Sequence, residues 1–447
     1  MSYYHDYTSL PSDDVAVRSS SQETFNVEHD LFEQIFSPIN VNNAWNQVKA
    51  NKGAPGIDNT TIEQFPEWAK QHWQQCKIAL LDGSYQPSAV KRVEIDKPDG
   101  GKRQLGIPTV LDRVIQQAIT QALTEIIDST FSENSFGFRP KRSAHDAIKQ
   151  VQGIIKQKRK IAVDVDLSKF FDRVNHDLLM RNLKRHVDDK RLLTLIGRYL
   201  RAGIIENGKL LPSREGVPQG GPLSPLLSNI MLDELDKELE SRGHHFARYA
   251  DDFIILVKSE RAGHRILESI TRYLETKLKL KVNTEKSQVV KTTQSKFLGF
   301  TFKYGNIKWH NKILKTFKDK VRKLTNRNWG VSMAYQIYKI SQYLRGWIAY
   351  YGIANTYQQC VDIDCWIKRR VRMCYWRQWR KPRTKVRNLM KLGVHVQAAV
   401  ACGITSKGPW RSSKTPGIQQ ALDNKFLEKA GLVSLRNGWI KVHYPNG

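Results

Sequence analysis

The stretch Phe246-Ala-Arg-Tyr-Ala-Asp-Asp-Phe-Ile-Ile-Leu256 carries two short apolar runs, Phe246 to Tyr249 and Phe253 to Leu256, on either side of adjacent aspartates. Runs of that length and composition predict two strands joined as a hairpin with an acidic turn. An Asp-Asp pair in a turn is ordinarily a solvated turn element. Buried flanking strands would instead concentrate two like charges at the edge of an apolar core, which is costly without a cation to offset it. A plain acidic turn and a metal-binding turn both stand at this point.

Upstream, Lys160 to Leu167 alternates, so that Ile161, Val163, Val165 and Leu167 face one side while Asp164 and Asp166 face the other. A half-buried strand presenting carboxylates is predicted. Transfer of a nucleotide to a 3′-hydroxyl needs charge compensation on a pentacoordinate phosphorus, which two magnesium ions about 3.5 to 4 Å apart provide. Magnesium takes a few carboxylates together with waters and substrate phosphates. Asp166 and the Asp251-Asp252 pair fit that demand.

Other elements frame these strands. Val90 to Ile95, a Pro98-Asp99-Gly100-Gly101 turn and a second strand from near Arg103 read as a hairpin, with Lys97 and Arg103 at its tip and far arm. After Gly216 to Pro222 a helix is predicted with Ser224 as N-cap and Pro225 in its first turn; Leu227, Leu235 and Leu239 lie on one face, and Gly243 ends it. The first 26 or so residues are polar and aperiodic, like a mobile tail, and helical patterns begin at Leu31.

A chain of 447 residues predicts two to four packed units. Its 72 Lys and Arg against 43 Asp and Glu leave a net charge of +29, for which nucleic acid is the leading partner. Residues 301–391 hold 22 Lys and Arg but only Asp319, Asp362 and Asp364 as acids. Three helical patterns fill that stretch, with the tail from about Pro382 expected to dock on them. In the third, from about Asp362 to Trp379, Arg369, Arg372, Trp376 and Trp379 recur at helical spacing, which predicts an RNA-facing surface of guanidinium groups and indoles. Trp347, on an apolar stripe, reads as core. Five cysteines without a C-x-x-C pair indicate neither a disulfide framework nor a zinc ribbon. No apolar run approaches the roughly 20 residues needed to cross a bilayer, and a cytoplasmic location is expected.

Taken in order, the motifs resemble those of group II intron-encoded reverse transcriptases and maturases, of the compact bacterial kind without an endonuclease domain. They are Gly56-Ile-Asp58, Lys97-Pro-Asp-Gly-Gly-Lys-Arg103-Gln-Leu-Gly-Ile-Pro108, Asp112-Arg113 with Gln116-Gln117, and Ser135-Phe-Gly-Phe-Arg-Pro140. Asp166-Leu-Ser-Lys-Phe-Phe-Asp172, Pro218-Gln-Gly-Gly-Pro-Leu-Ser-Pro225, Tyr249-Ala-Asp-Asp252, Asn283 with Lys286, and Phe297-Leu-Gly-Phe300 follow. The resemblance covers about residues 30 to 445 and implies an α+β, right-hand polymerase with antiparallel sheet. Its expected parts are an N-terminal extension and fingers over 27–160, palm over 161–305, helical thumb over 306–381 and a small basic maturase region over 382–447.

The resemblance also implies roles. Asp166, Asp251, Asp252 and the Leu167 backbone carbonyl would hold two Mg2+ ions, with Mn2+ able to substitute. Lys97 and Arg103 would clamp the triphosphate, Phe171 would exclude a 2′-hydroxyl, Gln219 would meet the incoming nucleotide with Gly220 and Gly221 allowing close approach, and Lys286 would lie near the phosphates. Arg139 and Arg142 are expected on template phosphates. The implied partners are dNTPs, an RNA template with a DNA primer or target DNA, and group II intron RNA, whose splicing and homing the protein would assist. A free-standing relative serving DNA repair or defence, and a splicing maturase without polymerase activity, remain open alternatives.

Overall fold

Ten strands and a majority of helices make up the computed structural model, which describes residues 30–96 and 101–445. The polar N-terminal stretch and Lys97 lie outside the described residues. The chain divides into two compact units, one ending at Val290 and one beginning at Lys291.

In the first unit, β1 (Val90–Asp96) and β2 (Lys102–Ile107) form the expected hairpin. β3 spans Ile161–Val165, β4 Ile204–Glu206, β5 Lys209–Leu211, β6 His245–Tyr249 and β7 Asp252–Val257. β8 (Gln288–Lys291) runs to the boundary between the units. One four-stranded sheet has the order β2-β1-β4-β5, and its β1-β4 pair is parallel. The other has the order β6-β7-β3-β8, with β7 antiparallel to both neighbours.

The second sheet is covered on both sides, which is why Phe253 to Val257 is buried throughout and Ala162 is as buried as Val163. The helices Ser224–Ser241 and Glu260–Thr276 contribute to the core that holds Ile161, Val163, Phe253 and Ile255. The helix Ala144–Lys156 packs on β6 and β7. Helices Pro38–Ala50 and Val110–Ile127 extend the same core, about which Asp112 is a polar exception. Its carboxylate is buried, accepts from the hydroxyls of Tyr85, Thr109 and Tyr199, and is pushed to a higher pKa by burial against the effect of those hydroxyls.

Helix Ser224–Ser241 corrects one expectation. Its cap position is Leu223, with no side-chain cap; the Ser224 hydroxyl instead donates to the Pro218 carbonyl at 2.6 Å and ties the helix to the loop before it. Gly243, at φ +66°, ends it as expected.

The second unit pairs β9 (Phe300–Lys303) with β10 (Asn306–Trp309). Helices Asn311–Leu324, Met333–Tyr351 and Tyr357–Gln378 follow, then six shorter helices to His443. Trp347 is buried against Trp309 and Phe317, in the core role read from its stripe. The C-terminal stretch docks on the longer helices: Leu389, Ile418 and Leu422 form an apolar cluster with Trp376.

Candidate active site

The acidic turn is built by strand pairing. Tyr249 pairs with Asp252, so β6 and β7 are joined by Ala250 and Asp251 alone, with Ala250 at φ +57°. On the other side of β7, Val165 pairs with Phe253 as the last pair of that antiparallel ladder, and Asp166 and Asp252 are the next residues on the two chains. Neighbouring residues across such a pair stand about 4.5 to 5.5 Å apart, so carboxylates more than 80 positions apart in sequence share one end of the sheet. Asp166 and Asp252 are partly exposed there and Asp251 is exposed.

The segment after β3 is held from the other side. Asp166 N–H donates to the Ser287 hydroxyl at 3.0 Å, while its carbonyl accepts from Asn283 N–H at 2.8 Å. Leu167 bridges to Val282. The turn containing Asn283 and Lys286 therefore fixes the backbone of Asp166, and Lys286 itself is exposed beside it. The donor set is hard oxygen on two adjacent strands and their turn, partly open to solvent, which suits a hard divalent cation. Among the described residues no group of three or more His, Cys, Asp or Glu side chains stands close enough together to hold a metal ion.

Beyond Asp166 the chain turns through Lys169, at φ +51°, into the short helix Phe170–Arg173. Phe171, Gln219, Gln104, Arg92 and Lys169 line one cavity of about 390 Å³. The loop carrying Gln219 is fastened to β2: Gly106 N–H donates to the Gln219 carbonyl at 2.6 Å, and Arg103 Nε donates to Gln219 Oε1 at 2.9 Å. Gly220, at φ +121°, would place a Cβ 2.4 Å from the Gly106 carbonyl oxygen, so the close approach it permits is to protein backbone. A Cβ on Gly221 would likewise stand 2.4 Å from Gln116 Oε1. Arg103, Gln219 and Phe171 are thus brought together; Arg92, outside the motifs, and Lys169, inside one but given no role there, join them.

Three expectations need correction. Arg139 is buried: it pairs with Asp128 at 2.7 Å and donates to the Ser132 and Ser135 carbonyls, so its guanidinium is not offered to a template. Arg372 donates to the Leu422 carbonyl and Asn424, while Arg369 donates to the Trp410 carbonyl and stacks 3.6 Å over that indole. Trp376 is 1% exposed and Trp379 packs beside it. The face read as RNA-binding thus seats the chain's own C-terminal helices, while Arg369, Arg372 and Trp379 keep partial exposure. Arg142 bonds Glu133 and keeps partial exposure.

Residues 95–302 match the family described as reverse transcriptase (RNA-dependent DNA polymerase), and residues 314–393 match the group II intron, maturase-specific domain. The chain belongs to the group II intron reverse transcriptase and maturase family. It has the reverse transcriptase fold and is an RNA-directed DNA polymerase, a nucleotidyltransferase. It is 35% identical to Protein YkfC of Escherichia coli (strain K12), over 54% of this chain and 74% of that protein. With the Group II intron-encoded protein LtrA of Lactococcus lactis subsp. cremoris it shares 29% identity, over 67% of this chain and 61% of LtrA. The chain thus spans about three fifths of that relative's length. A partial Cas6-RT-Cas1-Cas2 complex aligns at TM-score 0.35 and 25% identity, over 56% of this chain and 43% of that one. Members of this enzyme class depend on a divalent metal. No helix among the described residues is long and apolar enough to cross a membrane.

Proposed function

We propose that the chain copies RNA into DNA at the end of the β6-β7-β3 sheet and assists the splicing and homing of a group II intron. The observation that supports this reading is the register of β3 on β7, in which Val165 pairs with Phe253, next to Asp166 on one strand and Asp252 on the other, with Asp251 in the adjoining turn. Asp166, Asp251, Asp252 and the Leu167 carbonyl are the oxygens that would hold two Mg2+ ions, or Mn2+ in their place. Such ions, when bound, stabilise the developing charge on the transferred phosphoryl group and its oxygens. The protein's own contribution is position.

In this reading the incoming dNTP enters the cavity lined by Phe171 and Gln219, with the ring of Phe171 set against a ribose 2′-hydroxyl. Arg103, with Lys97 and Lys286, offers cations to the triphosphate. Arg142 stays a candidate for template phosphates. The basic second unit grips intron RNA as a cytoplasmic maturase, while the RNA itself performs the transesterifications. Extension of a DNA primer on an RNA template tests the reading: synthesis should need divalent metal and favour dNTPs over NTPs. Equal use of both nucleotides would remove the role of Phe171, and no metal-dependent synthesis would remove the role of the aspartates.

A further inference from the structure

Arg248 sits inside the apolar strand β6 with its side chain fully buried. A charge placed there demands partners, and its guanidinium makes five hydrogen bonds. Nε donates to both Asp236 oxygens at 2.8 and 3.0 Å, and Nη2 donates to Asp236 Oδ2 at 2.5 Å. Nη1 turns the other way, to Asn229 Oδ1 at 2.9 Å and to the Ala250 carbonyl at 3.0 Å. That carbonyl belongs to the peptide joining Ala250 to Asp251. Asn229 and Asp236 lie seven residues apart on helix Ser224–Ser241, two turns along one face.

The same turn is held from a second direction. Asn229 Nδ2 donates to the Gly137 carbonyl at 2.9 Å. A Cβ on Gly137 would stand 2.3 Å from the Ala250 nitrogen and 2.9 Å from the Tyr249 carbonyl carbon, so only glycine lets this loop lie against the turn. The loop is laced to β6 by Arg248 N–H to the Asn134 carbonyl and Phe136 N–H to the Arg248 carbonyl, both at 2.9 Å. Ala250 occupies a left-handed φ that a non-glycine residue keeps only where the surroundings impose it.

We propose that Arg248, clamped by Asp236 and Asn229, is a positioning residue that fixes the Ala250-Asp251 peptide and so the placement of the Asp251 carboxylate for nucleotidyl transfer. The proposal rests on the reading of Asp166, Asp251 and Asp252 as metal ligands. A simple core ion pair is the rival account. Such a pair needs only the carboxylate, and it can be exchanged for apolar groups with little effect on function. Arg248 instead divides its fork between the carboxylate and the catalytic turn, which a lysine cannot do.

The test uses the full chain with three variants. Arg248→Lys keeps a charge for Asp236 but cannot also span to Ala250; Arg248→Met with Asp236→Leu removes both charges together; Gly137→Ala leaves the ion pair intact and presses on the turn. Each is measured for melting, for kcat and KM of dNTP in RNA-templated extension, and for direct Mn2+ binding. Binding is read as loss of the free-ion EPR signal with a dideoxy-terminated primer on its template. In folded variants kcat should fall about 30- to 100-fold with KM for dNTP nearly unchanged. Mn2+ binding should weaken about tenfold. Wild-type kcat and Mn2+ affinity in folded Arg248→Lys and in the double variant would overturn the proposal. Should both fail to melt cooperatively, Gly137→Ala decides alone, and wild-type behaviour there overturns it. A wild-type chain without metal-dependent extension would strike the underlying reading of the aspartates instead.

Discussion

At the open end of β3 and β7, the aspartates picked out by sequence keep carboxylate surface toward solvent, with Asp251 exposed and Asp166 partly so. Along helix Tyr357–Gln378 and at its end, the arginines and tryptophans picked out by sequence are engaged by later helices of the same chain, Trp376 fully buried and Arg369, Arg372 and Trp379 partly so. Both patterns are regular, and both residue sets suit a polyanion or its counterions. They differ in what the rest of the chain offers them. Carboxylates have a natural complement in the basic side chains, yet among the described residues neither Asp166 nor Asp251 forms an ion pair; the indoles have a natural complement in apolar helices, and those helices follow 10 to 50 residues later. A cation-and-ring stripe says that a face will be covered, and it is silent on whether protein or RNA covers it.

The largest effect should come from the first region. Asp251→Ala removes an exposed side chain, so melting should hardly move, whereas primer extension should fall by about 10³-fold or more as several kcal/mol of charge stabilisation is lost. Protein-assisted splicing should survive. Extension within tenfold of wild type would erase the distinction between the two regions by making the acidic turn an ordinary one.

Trp376→Ala probes the second region. Emptying a site this buried should cost about 3 to 5 kcal/mol of stability, read from denaturant unfolding. Below the unfolding transition, RNA affinity should stay within about twofold of wild type, because the indole faces Leu389 and Ile418 and has no surface to offer a base. Lost RNA binding at unchanged stability would restore the nucleic-acid reading of that face. Arg139→Met is a milder version of the same contrast. It breaks a buried pair whose partner Asp128 is partly exposed, so roughly 2 to 3 kcal/mol of stability should go. The salt dependence of template binding should be unchanged, since no phosphate contact is removed.

The outcome for the sequence reading follows the same division. The strands flanking the acidic residues, the β1-β2 hairpin and the nearness of Asp166 to Asp252 along the sheet were legible because apolar runs and acidic positions agree across separate segments, although burial on both faces removes the period-two alternation expected of β3. Tertiary cover was not legible. Nothing local distinguishes Arg372, which caps the Leu422 carbonyl, from an arginine left in solvent. Ser224 illustrates the point on a smaller scale: it is a good cap residue by type, but the Pro218 carbonyl claims its hydroxyl. Arg248 stands just before the Tyr249 to Asp252 motif, and a charge within the apolar run Phe246 to Tyr249 is itself the signal of a buried partner.

Arg103 gives the smallest effect and the finest test, because it lies between the two behaviours. Its Nε bonds Gln219, as an internal arginine would, yet the contact is exposed and borders the cavity lined by Phe171. If the bond to Gln219 were structural, Arg103→Met would loosen the loop, lowering kcat and raising KM together. If the guanidinium serves the triphosphate, removing one solvent-screened charge should raise KM for dNTP by roughly three- to tenfold and leave kcat near wild type. Gln219→Leu separates these cases further, since it frees the arginine and deletes only the neutral partner. A KM rise in Arg103→Met that Gln219→Leu does not share would place Arg103 with the aspartates, among side chains whose complement arrives with the substrate.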